Sequence, residues 1–273
     1  MAKIAAIQMA SGPNVNANLI EAGRLIAKAV DEGASLVVLP ENFALMGLSE
    51  QDKINIKEQE GKGVIQDFLA DTAKKHGVWL VGGTIPIVAE DGHKVRGACL
   101  LFDNKGKQVA RYDKIHLFDV NIPETGENYN ESETIESGND VVVVDTPFGR
   151  LGLAVCYDLR FPELFRKMAD RDVEIIALPS AFTAITGRAH WEVLVRARAI
   201  ENMCYVAASA QGGYHVSGRE TYGDSMIVNP WGVVIDRLAH GSGIVIANID
   251  LAYLNSMRRN FPVLDHRKMH CDE

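Results

Sequence analysis

The sequence lacks any run of lysine or arginine, and its 28 basic residues are outnumbered by 36 acidic ones, a formal net charge of −8. Without a basic patch, nucleic acid and anionic membrane surfaces are not expected partners. Nowhere do about 18 apolar residues run together, so no membrane-spanning helix is expected. The N-terminal stretch MAKIAAIQMA is interrupted by Gln8 and has no apolar core of signal-peptide length. Cysteine is scarce: Cys99, Cys156, Cys204 and Cys271 are scattered over 273 residues with no CxxC pair. That scarcity argues against a disulfide framework and for reduced thiols in a cytoplasmic protein. The histidines show no ligand spacing near a cysteine, so neither a metal nor an organic cofactor is expected. No Ser/Gly/Pro-rich linker divides the chain, and residues 1–273 read as one domain.

What is present is an alternation of strand and helix patterns. Lys3–Met9 is a short apolar run, and Asn18 to Val30 carries apolar residues at helical spacing before Gly33. Ser35–Leu39 is nearly continuously apolar, as expected of a strand buried on both faces. Val64–His76 repeats the helical stripe and stops at Gly77, and Val78–Gly82 follows as a strand. Ala98–Phe102 and Gln108–His116 flank the turn-rich Asp103-Asn104-Lys105-Gly106 and predict a hairpin. Leu151–Cys156, Phe161–Ala169 and Ile175–Leu178 read as strand, helix and strand. Residues 3–40 and 151–179 thus share one order of elements, a possible internal repeat. A helix over His190–Asn202, a strand over Tyr205–Ala210 and a hairpin around Asn229-Pro230-Trp231-Gly232 complete the pattern. Trp191, Leu194, Val195 and Ile200 read as a core stripe, and Trp231 as a core or dimer-packing aromatic. The polar stretch Glu124–Asn139 reads as an irregular loop over a site. The whole is an α/β chain.

In α/β folds reactive groups gather at the carboxyl ends of strands. Glu41 follows SLVVLP, Lys114 lies in ARYDKIHLF, and Cys156 ends RLGLAVCYD. A carboxylate, an ammonium and a thiol are the parts for covalent attack on a carbonyl. A cysteine ending an apolar strand is by default a small buried hydrophobe. Pro162, however, suits a first helical turn, so Cys156 would precede a helix N-terminus that favours a thiolate. Spacing alone leaves His116, His190 and His215 open as partners of that thiol.

LPENF, RYDKIHLFD and GLAVCYDLRFPEL, in this order, resemble the nitrilase superfamily of carbon–nitrogen hydrolases with a Glu-Lys-Cys triad. The likeness runs from KIAAIQM to PVLDHRK, nearly the whole chain. The segments PSAFTAITGRAHWEVLVRARAIEN, YGDSMIVNPWG and NIDLAYLNSMRRNFPVLDHR resemble its Nit branch. The resemblance implies an α-β-β-α sandwich, paired by a second copy into a homodimer or higher oligomer. It implies Cys156 as nucleophile, Glu41 as general base and acid, Lys114 as oxyanion support, and Glu131 as the second glutamate. Glu127 and Glu133 remain open for that last role.

The activity so implied is hydrolysis of the primary amide of a small 2-oxo acid amide through a Cys thioester, with release of ammonia. The tail NFPVLDHR and the GRAHWEVL segment tilt the substrate toward deaminated glutathione. Alternatives are α-ketoglutaramate, as in an omega-amidase, another small amide or N-carbamoyl compound, or an inactive scaffold of the same fold. Tyr157 would lend a backbone N–H to the oxyanion. Arg160, one helical turn after Cys156, is expected either to hold a substrate carboxylate or to support the fold through an ion pair. Thr186, in the ITG loop, is a second substrate-binding candidate by resemblance.

Overall fold

The computed structural model of the chain describes residues 2–90, 92–123 and 126–269. Its first half runs β1 (Ala2–Gln8), α1 (Val15–Asp31), β2 (Leu36–Val38), α2 (Gln51–Asn55), α3 (Val64–His76), β3 (Trp79–Val81), β4 (Ile85–Val88), β5 (Val95–Phe102) and β6 (Gln108–Asp113). A hairpin of β7 (Asp119–Ile122) and β8 (Glu127–Asn130) follows, then β9 (Val143–Thr146) and β10 (Gly149–Leu153). Next come α4 (Pro162–Ala169), β11 (Ile175–Ser180), α5 (Ala184–Asn202) and β12 (Tyr205–Ala210). The chain continues through β13 (Gly212–Tyr214), β14 (Glu220–Tyr222), β15 (Ser225–Val228), β16 (Val234–Leu238), β17 (Gly243–Ile249) and α6 (Leu251–Asn260).

Two sheets carry the architecture. One has the order β17-β1-β2-β3-β5-β4 with β6 beside β5, the other the order β16-β15-β12-β11-β10-β9. Strands β1, β2 and β3 are mutually parallel, as are β10, β11 and β12. The two expected strand-helix-strand units, β1-α1-β2 and β10-α4-β11, therefore occupy equivalent places in separate sheets.

Side-chain alternation explains the stacking. Ile4 and Ala6 of β1, Leu36 and Val38 of β2, and Cys99 and Leu101 of β5 point into the core shared with the second sheet. Their neighbours Ala5, Ile7, Val37, Ala98 and Leu100 point the other way, against α1 and α3. Leu164 and Phe165 of α4 and Trp191 and Val195 of α5 cover the second sheet. The result is the α-β-β-α sandwich, and it accounts for strands that are apolar on both faces.

Helix limits follow local chemistry. Asn14 caps α1 by accepting from the Ala17 N–H at 3.0 Å, and α3 ends at Gly77 in the left-handed region. Some expectations shift. Helix α5 begins at Ala184, capped by the Thr183 side chain, so Thr186 lies in its first turn rather than in a loop. Gly187 inside that helix lets it pack on β14, because a Cβ there would meet the Tyr222 ring at 2.3 Å. Strand β11 runs on through Pro179 to Ser180, past the expected end at Leu178. Much of the stretch read as an irregular loop is ordered: it contains β8 and a 3-10 turn at Glu131–Glu133, though Glu124 and Thr125 lie outside the described residues. Trp191, Val195 and Leu194 pack as the stripe predicts, but Ile200 is exposed. Trp231 is 56% exposed, which removes the core reading. Cys271 lies outside the described residues. Among those residues no helix is long and apolar enough to cross a membrane.

Candidate active site

The carboxyl ends of β2, β10 and β11 converge on one cleft of about 490 Å³, with Glu41, Lys114, Glu131 and Cys156 in its wall. Glu41 sits three residues past β2, in a turn held tightly to the sheet. Gln211 Nε2 donates to its carbonyl, and the Asn42 N–H donates to Thr84 Oγ1. Gly83, at φ +58°, lies so close to this turn that a Cβ would fall 2.1 Å from the Pro40 carbonyl. Only glycine combines that positive φ with so close an approach.

Lys114 follows β6 and is 2% exposed. Its ammonium donates to Glu41 Oε1 at 2.8 Å and to Glu131 Oε1 and Oε2 at 2.9 and 2.7 Å. Burial works against the ammonium, but Glu131 and Glu41 outweigh it and hold its pKa well above the ordinary lysine value. Burial likewise works against the Glu131 carboxylate, yet Lys114, helped by Lys53, lowers its pKa. The Phe118 N–H also donates to Glu131 Oε2 at 2.7 Å. Of the three glutamates open in the sequence, Glu131 is the one brought to Lys114. The 3-10 turn after β8 folds it back, while Glu133 accepts from Asn130 and Glu127 faces the surface groove.

Cys156 opens a 3-10 turn, Cys156–Arg160, with φ +47°. A non-glycine residue in that region costs about 1–3 kcal/mol and persists only where its surroundings fix it. Here the Ala181 N–H donates to Sγ at 3.4 Å. Asp158, fully buried, accepts from the Val155 N–H at 2.8 Å. The same carboxylate accepts from the Tyr112 hydroxyl and the His116 N–H, and pairs with His116 Nδ1 at 2.7 Å. Asp158 thereby ties the cysteine turn to both flanks of Lys114.

The thiolate expectation changes. Burial and the adjacent Glu41 carboxylate push the Cys156 thiol well above its ordinary pKa, against the opposing pull of Lys114 and the Ala181 N–H. Desolvation of an anion beside a second carboxylate outweighs one short turn's N–H groups. None of the three histidines takes the thiol proton: His116 is bonded to Asp158, His190 to Arg160, and His215 to the Ser11 carbonyl and Thr221.

Tyr157, Arg160 and Thr186 line the same cleft. The Arg160 guanidinium lies over the Phe182 ring, 5.1 Å from its centroid, and meets His190 Nδ1 at 3.1 Å. Thr186 Oγ1 is hydrogen-bonded to Thr183 Oγ1 at 2.8 Å. Lys53 and Arg219 also line the cleft and escaped sequence reasoning. Both come from segments without strand or motif signals, α2 and the β13–β14 connection.

The carbon-nitrogen hydrolase family model matches residues 3–259. The chain belongs to that family. This carbon-nitrogen hydrolase is 43% identical over 266 residues to a "Deaminated glutathione amidase" of Synechocystis, covering 96% of this chain and 97% of that one. A protein of the same description from Yersinia enterocolitica is 41% identical over 268 residues, covering 98% and 93%. The solved structure of Saccharomyces cerevisiae Nit3, described as a member of branch 10 of the nitrilase superfamily, superposes with a TM-score of 0.88. It shares 31% identity over 98% of this chain and 97% of that one. The hydrolase thus acts on carbon–nitrogen bonds of amides, on the nitrilase-type sandwich expected from its motifs.

Proposed function

We propose that Cys156, Glu41 and Lys114 hydrolyse the amide of deaminated glutathione through a thioester, with Glu131 orienting Lys114. The observation that carries this reading is the buried Lys114 ammonium clamped between Glu41 and Glu131 in the cleft that holds Cys156. The thiol is protonated at neutral pH, so its proton passes to Glu41 as sulfur attacks the carbonyl carbon. Lys114 and the Tyr157 N–H receive the developing oxyanion. Glu41 then protonates the departing nitrogen, leaving the acyl group on sulfur. Glu41 next takes a proton from water, the hydroxyl attacks the thioester, and the acid leaves as the thiol regains its proton. Arg160 and Thr186 are assigned to the 2-oxo acid end of the substrate.

The leaving group follows from the chemistry of the substrate. In deaminated glutathione the reactive amide joins the 2-oxo diacid to the nitrogen of cysteinylglycine, so it is a secondary amide. Cysteinylglycine departs, and ammonia is the product only for a primary amide such as α-ketoglutaramate. Both substrates yield 2-oxoglutarate, which gives one readout for a comparison. At matched low concentration the kcat/KM for deaminated glutathione is expected to exceed that for α-ketoglutaramate. The reverse ranking would make the protein an omega-amidase.

The protomer is proposed to act as a homodimer and as one domain over residues 1–273. Ile200, Trp231 and Phe261 expose apolar surface in one neighbourhood, the two aromatic rings 5.7 Å apart, and such a patch marks a contact surface. Sedimentation at micromolar concentration is expected to give twice the chain mass, and Trp231→Asp to lower it. A concentration-independent monomer in the unmutated protein would count against the pairing. A cytoplasmic location is proposed on the free, buried thiols of Cys99, Cys156 and Cys204.

A further inference from the structure

The reactive cleft does not end at its own mouth. It opens into an outer groove of about 1080 Å³, and Asn42, Glu50, Lys53, Tyr129 and Arg219 line both. Cys156, Arg160 and Thr186 line only the inner part. The chain therefore places one arginine at the inner end and a second, Arg219, where the inner cleft meets the groove.

Arg219 is held by its surroundings but not neutralised by them. Its Nη2 donates to the Ala181 carbonyl at 2.6 Å, and its guanidinium lies over the Tyr129 ring at 5.1 Å. Its Nε is buried with no hydrogen-bond partner. A half-buried guanidinium held by a carbonyl and a ring, and paired with no carboxylate among the described residues, is a pre-organised receptor for one. The carboxylates near it are otherwise engaged: Glu50 pairs with Lys53, and Glu127 is hydrogen-bonded to Tyr129.

Distance fits a dipeptide. Ala181 gives its N–H to Cys156 Sγ and its carbonyl to Arg219, so one residue separates the sulfur from the guanidinium. That spacing is at most roughly 10 Å. Two residues beyond a scissile nitrogen span up to about 7 Å, and the nitrogen itself lies one carbon from the attacking sulfur.

We propose that Arg219 anchors a second anionic subsite, which takes the terminal carboxylate of the departing dipeptide and selects long, doubly anionic amides over short ones. This rests on the reading that deaminated glutathione is the substrate. Arg219 is then a specificity-determining residue, remote from the reacting atoms.

The test compares Arg219→Gln and Arg219→Lys with the unmutated enzyme on three compounds: deaminated glutathione, its glycyl carboxamide, and α-ketoglutaramate. In Arg219→Gln the ratio of kcat/KM for deaminated glutathione to that for α-ketoglutaramate is expected to fall at least tenfold, through KM. Arg219→Lys is expected to restore part of the ratio. The carboxamide is expected to lose a similar factor with the unmutated enzyme and little more with Arg219→Gln. Equal losses on all three compounds would reduce Arg219 to a support for Ala181 and overturn the proposal, as would an unchanged ratio. If the unmutated enzyme turns over α-ketoglutaramate but not deaminated glutathione, the functional reading fails and the subsite fails with it.

Discussion

Cys156→Ala is expected to abolish amide hydrolysis, lowering kcat by at least about 10⁴-fold, because Cys156 is the one thiol among the residues lining the cleft. Cys99 and Cys204 cannot substitute. Both are fully buried, and burial pushes their thiols far up, that of Cys204 to about 12. The loss should not come from unfolding. Alanine removes one sulfur at a position already 8% exposed, and the turn stays tied by the Asp158 carboxylate to the Val155 N–H. Two measurements check the prediction together. Product assays report the loss, and intact-mass analysis of acid-quenched reactions should show the acylated unmutated protein and no adduct on the variant. Turnover retained within about tenfold would exclude covalent catalysis by this residue and overturn the thioester mechanism.

The parts of the site that were legible in the sequence are those embedded in strands. SLVVLP and RLGLAVC announce where the chain stops being sheet, and Glu41 and Cys156 stand at those stops. Lys114, by contrast, falls inside the strand expected over Gln108–His116 and follows β6 only because that strand ends at Asp113. Glu131 was legible only as one of three glutamates, since which of them reaches Lys114 depends on how the β7–β8 hairpin folds back. Asp158 lies within GLAVCYDLRFPEL, where nothing local marks its role. Its role needs Tyr112 and His116, more than 40 positions earlier, which no local pattern connects to it. Arg219 and Lys53 carry no periodic signal at all, because loops are placed by the elements they join.

The same division holds for the fold. Helices α1 and α3 follow directly from their apolar stripes and glycine stops, and α3 matches the predicted bounds. The apolar pattern starts α5 at His190 rather than Ala184 because Gly187 weakens the helical signal, and its packing against Tyr222 is a tertiary fact. Strand β17 pairs antiparallel with β1 from the opposite end of the chain, through Ala2 with Ile249 to Gln8 with Gly243. Pairing across such a separation leaves no mark on either segment alone.

Lys114→Met is expected to remove activity and to destabilise the fold, with a pH dependence opposite to that of the unmutated protein. In the native cluster Lys114 has a raised pKa, so its contribution is full below the unfolded lysine value, about 10.4, and fades as pH rises through the folded one. Glu131 has a lowered pKa, so its contribution is full above the unfolded value, about 4.3, and is lost as pH falls through the folded one. The cluster therefore stabilises most between those limits. Methionine keeps the length but leaves two buried carboxylates without their cation, a change that typically costs about 3–5 kcal/mol. Burial, no longer opposed by the ammonium, then favours the protonated form of Glu131. The folded variant holds more protons than the unfolded chain, and its stability must fall as pH rises from about 4. Urea unfolding at pH 5 and pH 8 distinguishes the two cases. The stability gap between variant and parent should widen clearly at pH 8, and a gap independent of pH would mean that Lys114 does not neutralise the carboxylates it touches.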